Sequence, residues 1–384
     1  MSIPTYKHLF QRAIAAAPER LHFAAHGHHL WPDASYLGHQ AYWQDAARMA
    51  DRKWRRVLDD IWVAGQRHVA SELRLPDPDT VVFAQNTHDL LLRLVSAFPR
   101  RPLRVLASDG EFHSFVRQAA RWAEAGTIAL ELVPAGAGFE QRLLDRAASG
   151  EHDLIFVSQA MYASGQIFSG IAELAVLARP EGPWVVIDGY HGFMALETDL
   201  SAVADRVFYL AGGYKYAMSG EGVALMHAPP GFGPRPEVTG WYAAPPGSAP
   251  GACEYPADAR RFLGATFDPS GLYRFVGVRE MLREEGITTA TVNAHVAPLR
   301  DALLAGLGET PLAAAELRNP PGAGPQARFL AFRHPLAARW RDWLEEDEVI
   351  VNVRGDVLRI GLGLYHDARD IRRLLAALAD LPGR

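Results

Sequence analysis

Lys215 stands between two apolar runs in FYLAGGYKYAMSGEGVALMHA, residues 208–228. Val207–Leu210 leads into Ala-Gly-Gly, Tyr214 and Tyr216 flank the lysine, and Gly220 and Gly222 precede the second run, Val223–Met226. A lysine attacks a carbonyl only when neutral, and a buried, apolar setting lowers its pKa. Such surroundings suit a Schiff-base lysine, although the stretch alone also reads as a surface lysine in a β-turn.

Two further segments bear on that choice. VVIDGYHGFMAL (185–196) ends an apolar run on Asp188, followed by Gly, Tyr, His191 and Gly. An acid at the end of a buried strand needs a partner, because an isolated buried charge is very costly. Capping the next helix is one use; pairing with a protonated pyridine nitrogen is another. Such a pair keeps pyridoxal phosphate (PLP) an electron sink while a lysine holds its aldehyde. In AQNTHDLLLRLVSAF (84–98), Asn86 and Thr87 precede an apolar helix and should cap it. The free N–H groups and positive dipole end of such a helix form an anion site that a phosphate would fit.

The elements around these segments alternate. Apolar runs at 103–108, 128–133, 153–159, 184–188, 206–211 and 222–228 are separated in part by amphipathic stretches at 114–125 and 171–180. That βαβ pattern predicts an α/β fold with a mostly parallel sheet, in which ligands sit at the carboxyl ends of the strands. Residues 34–64 read as one long helix, and residues 1–18 as an amphipathic helix with no signal-peptide core. From about residue 258 the pattern changes to α+β. The expected division is an N-terminal segment (1–30), a large domain (31–257) and a small C-terminal domain (258–384).

Composition narrows the partners. The chain has 384 residues and a formal net charge of −5, with its 39 Lys and Arg scattered, so no basic footprint for nucleic acid is expected. No run of 18 apolar residues predicts a membrane span. Cys253 is the single cysteine, which rules out an internal disulfide and a multi-cysteine zinc site and suits a reducing cytoplasm.

The motifs Asp188-Gly-Tyr-His191 and Gly-Tyr214-Lys215-Tyr-x-x-x-Gly220-x-Gly222 resemble the class V aminotransferase group of fold type I PLP-dependent enzymes, and within it the kynureninases. The resemblance runs from about residue 20 to 380. It implies a three-layer α/β/α large domain, a smaller α+β domain and a homodimer acting on a small-molecule amino acid. It also implies that Lys215 carries the cofactor and shuttles protons, that Asp188 pairs with the pyridine nitrogen, and that His191 sits near the ring. Asn86, Thr87 and Tyr214 would hold the phosphate. Phe112 would stack on the cofactor, with His113 the next choice. Trp241 would reach the phosphate of the neighbouring subunit. Arg359 would clamp the α-carboxylate by its fork-shaped guanidinium. Tyr162, Ser164 and Gln166 would belong to a pocket-lining loop.

Two features depart from the kynureninase pattern, and a third bears on the cysteine desulfurases. Asp268, in TFDPSGLY (266–273), stands where an asparagine recognises the substrate's aromatic end. Histidines at 22, 26, 28 and 29 form an unusual N-terminal group, read as lining the active-site entrance in preference to binding metal. Cys253 precedes the position at which cysteine desulfurases carry their thiol. The leading expectation is hydrolytic Cβ–Cγ cleavage of a kynurenine-type substrate with release of alanine. Transamination, β-elimination and epimerisation share the same cofactor residues. A cysteine desulfurase and a PLP-binding protein without turnover are the remaining readings.

Overall fold

The computed structural model describes residues 5–249, 251–322 and 324–383. Its thirteen strands, in chain order, are β1 (Leu21–His22), β2 (Val81–Ala84), β3 (Leu103–Ser108), β4 (Ile128–Val133), β5 (Leu154–Ser158), β6 (Trp184–Asp188), β7 (Val207–Gly212), β8 (Ala224–His227), β9 (Glu316–Leu317), β10 (Phe329–Arg333), β11 (Val349–Ile350), β12 (Asn352–Arg354) and β13 (Val357–Gly361). Seven of them form one sheet in the order β2-β8-β7-β6-β5-β3-β4. Its β4-β3-β5-β6-β7 stretch is parallel, and β8 and β2 close one edge antiparallel. The expected mixed α/β architecture with a mostly parallel sheet is therefore present. Strands β5, β7 and β8 are buried along their whole length, as expected for a sheet covered by helices on both faces.

Two helices seat the residues that matter most. The helix Thr87–Ser96 buries Leu90, Leu91, Leu94 and Val95 as one stripe, and the Asn86 side chain caps it by accepting the Asp89 N–H at 2.9 Å. The helix His113–Glu124 is fixed to the sheet by Phe115, which stacks on Phe156 at 3.9 Å. That contact pins the backbone just after Phe112.

Residues 34–64 depart from the expected single helix. The helix Asp33–Met49 ends where Ala50 adopts φ 50°, and the chain resumes helical form through Lys53–Arg56 and a π-turn at Val57–Ile61 into Trp62–Leu73. Asp45 bridges the break by accepting from Arg48, Arg56 and Tyr273, so the interruption is tied together by a buried carboxylate. The N-terminal segment also differs. Its helical part is a short turn at Lys7–Phe10 followed by Gln11–Ala16, and residues 1–4 lie outside the described residues.

The four-stranded sheet, β12-β13-β10-β9, is built wholly from the last quarter of the chain. The N-terminal segment joins that region: β1 pairs in parallel with β11, and Lys7 makes ion pairs with Asp367 and Asp370, each at 2.8 Å. No helix among the described residues is long and apolar enough to cross a membrane.

Candidate active site

The carboxyl ends of adjacent parallel strands converge on one cavity of about 210 Å³. Ser158 ends β5, Asp188 ends β6, and the two stand opposite each other in register. Three residues beyond the end of β7, Lys215 enters the cavity, faced by Thr87, Phe112, Tyr162 and Tyr214. The return from Lys215 to β8 needs positive φ at Gly220 (70°) and Gly222 (86°), a conformation that side chains disfavour. A Cβ at Gly212 would collide with the Tyr190 hydroxyl, so the absent side chain makes room for that ring.

Lys215 is buried, with its Nζ 3.3 Å from His191 Nδ1 and 4.4 Å from the centre of the Tyr190 ring. Burial pulls its ammonium down to about 7; the Asp188 carboxylate opposes this, and the Arg359 and Arg354 guanidiniums add to it. The neighbouring His191 is pushed well below the ordinary histidine range by burial and then by the charge of Lys215, so its ring is neutral. Burial raises the Asp188 carboxyl, against the Tyr190 N–H and the charge of Lys215. Only that N–H, at 2.9 Å from Oδ1, donates to the Asp188 carboxylate among the described residues, which leaves Oδ2 open to a ligand. The first N–H groups of the helix at Thr87 have no intrahelical acceptor and border the same cavity.

These features fit PLP group by group. A partly neutral lysine, a carboxylate with a spare oxygen, an aromatic ring and an open helix N-terminus all line one cavity. The arrangement can bind an aldehyde covalently, hold a protonated ring nitrogen and take up a phosphate.

Arg359 lies next to this cavity, behind Tyr162. Its Nη1 donates to the Tyr162 carbonyl at 2.6 Å and its Nη2 to Asn352 Oδ1 at 2.5 Å, while Nε has no protein partner. Tyr162 meets Phe112 edge to face at 5.5 Å, and His113 lies beyond, 3.4 Å from the Tyr162 hydroxyl. Ser164 and Gln166 shape the turn that follows, Ser164 Oγ accepting the Gln166 N–H, without lining the cavity.

Asp268, like Arg359, Ser164 and Gln166, does not line the cavity, and Trp241, expected at the neighbouring subunit's phosphate, lies apart from it. Asp268 spends both carboxylate oxygens on Ser270, one on its N–H and one on its hydroxyl, because the acid sits where the helix Ser270–Glu284 needs its first donors satisfied. Trp241 is 62% exposed and stacks on Tyr242 at the surface. Cys253 is also exposed, close to Tyr255 in a separate depression, so no thiol lines the cavity.

The four N-terminal histidines divide. His28 stacks on Tyr214 at 4.7 Å and bonds Glu221, at the rim. His26 is fully buried, stacked on Phe329, with neither ring nitrogen paired. His22 and His29 pack instead around Tyr365. Among the described residues, no cluster of three or more His, Cys, Asp or Glu could hold a metal ion.

Sequence reading missed Tyr190 and Glu111. Tyr190 lies inside the Asp188 motif, and its lysine-facing ring was identifiable only from the fold. Glu111 is buried under the cavity floor. Ser108 Oγ donates to its Oε1 at 2.6 Å, while the Ser158 N–H (3.0 Å) and hydroxyl donate to its Oε2. Burial lifts its carboxyl to about 7 against those three bonds. Glu111→Ala leaves three donors without an acceptor, and is expected to destabilise the protein by about 2–3 kcal/mol in urea unfolding. A change under about 0.5 kcal/mol would mean that the network contributes nothing net.

The sheet order and the crossover helices form the fold type I architecture, the one seen in solved PLP-dependent enzymes. The cystine C-S lyase C-DES, solved with its product cysteine persulfide, matches with a TM-score of 0.80 at 18% identity, covering 97% of this chain and 100% of that one. The apo cysteine desulfurase from Thermococcus onnurineus NA1 matches with a TM-score of 0.81 at 16% identity, covering 99% and 98%. A lysine-to-alanine C-DES mutant with glycine covalently linked to its PLP cofactor matches at 0.82 and 18% identity, covering 99% and 100%. In sequence, the chain is 28% identical over 368 residues to isopenicillin N epimerase of Streptomyces clavuligerus, with 88% of each chain covered. No protein-family model matches the chain.

Proposed function

We propose that this protein is a PLP-dependent enzyme that acts at the α-carbon of an amino acid. The observation that carries the reading is Lys215, buried and lowered to about 7, in one cavity with Asp188 and an open helix N-terminus. When bound, PLP supplies a sink for the electron pair left at Cα when a substituent departs. Lys215 would hold the cofactor's aldehyde carbon, and its Nζ would accept the Cα proton. Asp188 would hold a protonated ring nitrogen through its open Oδ2. Neutral His191 accepts from Lys215 and orients it. Asn86 holds the helix end whose N–H groups, with Thr87 and Tyr214, receive the phosphate. Phe112 would offer its ring face to the cofactor, and Arg359 would take the substrate's α-carboxylate.

Two finer readings follow the proton transfer. Hydrolytic cleavage of a kynurenine-type substrate rests on the Asp188–His191 and Tyr214–Lys215 motifs. Epimerisation at Cα is favoured by the 28% identical epimerase, which the chain matches over 88% of its length, and by the engagement of Asp268 with Ser270. Both readings are separated by incubating PLP-loaded protein in D₂O with L-kynurenine and a panel of L-amino acids. Loss of the Cα–H signal is expected for the true substrate. Release of alanine with anthranilate identifies cleavage, and appearance of the D-isomer identifies epimerisation. If PLP produces no shifted visible band with the protein and no Cα–H exchanges, the cofactor reading is wrong.

A further inference from the structure

The four-stranded sheet carries a second cation beside Arg359. Asn352 stands directly opposite Arg359 in the β12–β13 pair, and Arg354 stands opposite Val357. Side chains alternate along a strand, so Asn352, Arg354, Val357 and Arg359 share one face. Phe329 and Ala331 continue that face on β10, since Ala331 pairs with Arg359 and Phe329 with Gly361. Phe329 in turn stacks on His26 at 4.7 Å and lies 6.0 Å from the His191 ring. Arg354 therefore shares a sheet face with Arg359, whose Nη1 reaches the carbonyl of the cavity-lining Tyr162.

The two guanidiniums differ in their engagement. Arg359 is buried and held by Tyr162 and Asn352. Arg354 is exposed, and among the described residues its guanidinium makes a single hydrogen bond, from Nη1 to the adjacent Val353 carbonyl at 3.0 Å. It has no ion pair among the described residues. The nearest acid in sequence, Asp356, is occupied by Arg333 Nε at 2.8 Å. Glu221 belongs to the opposite rim, paired with His28. Gly355, at φ 57°, and Asp356 form a two-residue turn from β12 to β13, so Arg354 is the last paired residue of its strand and its direction is set. Its charge acts on Lys215, His191, His26, Tyr162 and Tyr214.

We propose that Arg354 reads a second anionic group, so that the substrate is an amino acid with a carboxylate on its side chain as well as at Cα. The inference rests on the PLP reading above, with Arg359 on the α-carboxylate. Diagonal neighbours across an antiparallel pair are about 7–8 Å apart, and Arg359 and Arg354 are such neighbours. Guanidiniums carried by such neighbours can meet the two ends of an unbranched dicarboxylic amino acid of glutamate length or one carbon longer. A neutral side chain would leave Arg354 with water alone.

The test uses the PLP-loaded protein and follows perturbation of the cofactor's visible band, which reports binding without turnover. L-Glutamate and L-2-aminoadipate are each titrated against the corresponding neutral amide. At least one diacid is expected to bind about fivefold or more tightly than its amide, the size of a partly exposed ion pair. Arg354→Ala should erase that preference while leaving the amide's affinity unchanged, and Arg354→Lys should restore part of it. Raising the salt concentration should shrink the preference in the wild type. A wild type that binds diacid and amide alike, or a preference that survives in Arg354→Ala, overturns the inference alone. Absence of the visible band on adding PLP overturns the cofactor reading and this inference with it.

Discussion

Lys215→Ala is expected to abolish the shifted visible band formed with PLP and to lower turnover by about a thousandfold or more, within the range for losing a positioned acid–base group. On the proposed reading the side chain would perform two tasks, holding the aldehyde and moving the Cα proton, and no other lysine among the described residues lines the cavity. Lys215→Arg separates charge from chemistry. A guanidinium still opposes Asp188 but stays protonated, so it should be as inactive as alanine. The wild type adds a pH signature. Because burial lowers Lys215 from 10.5 to about 7, covalent capture of PLP should accelerate as pH rises through about 7 and then level off. An ordinary lysine would continue to gain reactivity towards 10.5. An unchanged band in Lys215→Ala would remove the lysine from the mechanism.

Asp188→Asn should cost about a hundredfold to a thousandfold in turnover while PLP still binds, comparable to removing one preorganised electrostatic contact. Asparagine keeps an acceptor for the Tyr190 N–H, so the strand end should hold its shape. What disappears is the negative charge. A neutral amide cannot stabilise a protonated ring nitrogen, and the electron sink weakens. The carboxylate also holds Lys215 up, against burial and against Arg359 and Arg354. Its removal should therefore shift the midpoint of PLP capture to lower pH. Turnover near the wild-type level with an unmoved midpoint would show that Asp188 acts only as a turn-former.

The chemistry-bearing segments were legible because their signals are local. A buried strand ending on an acid, a glycine-bounded lysine between apolar runs, and Asn-Thr before an apolar helix each state their backbone geometry within a dozen residues. Asp268 shows the limit of that approach. Its position before Pro-Ser reads equally as a recognition residue or a helix-start acceptor, and the Ser270 bonds decide for the latter within this chain. Glu111 was silent for a different reason. Its partner Ser158 is 47 residues away, and their meeting depends on β3 lying beside β5.

Sequence alone determined the layer type, the strand-end placement of Asp188 and Lys215, and the cofactor chemistry their types permit, because hydrophobic period and turn residues act over short distances. The tertiary structure decided which cations stand together. Arg359 and Arg354 share a face only through the β12–β13 register, and His26 reaches that face only because β1 pairs with β11 across more than three hundred residues. Those contacts are selected by packing between distant segments. The lowered Lys215 follows from the same packing, since burial is its largest cause and burial belongs to the assembled core.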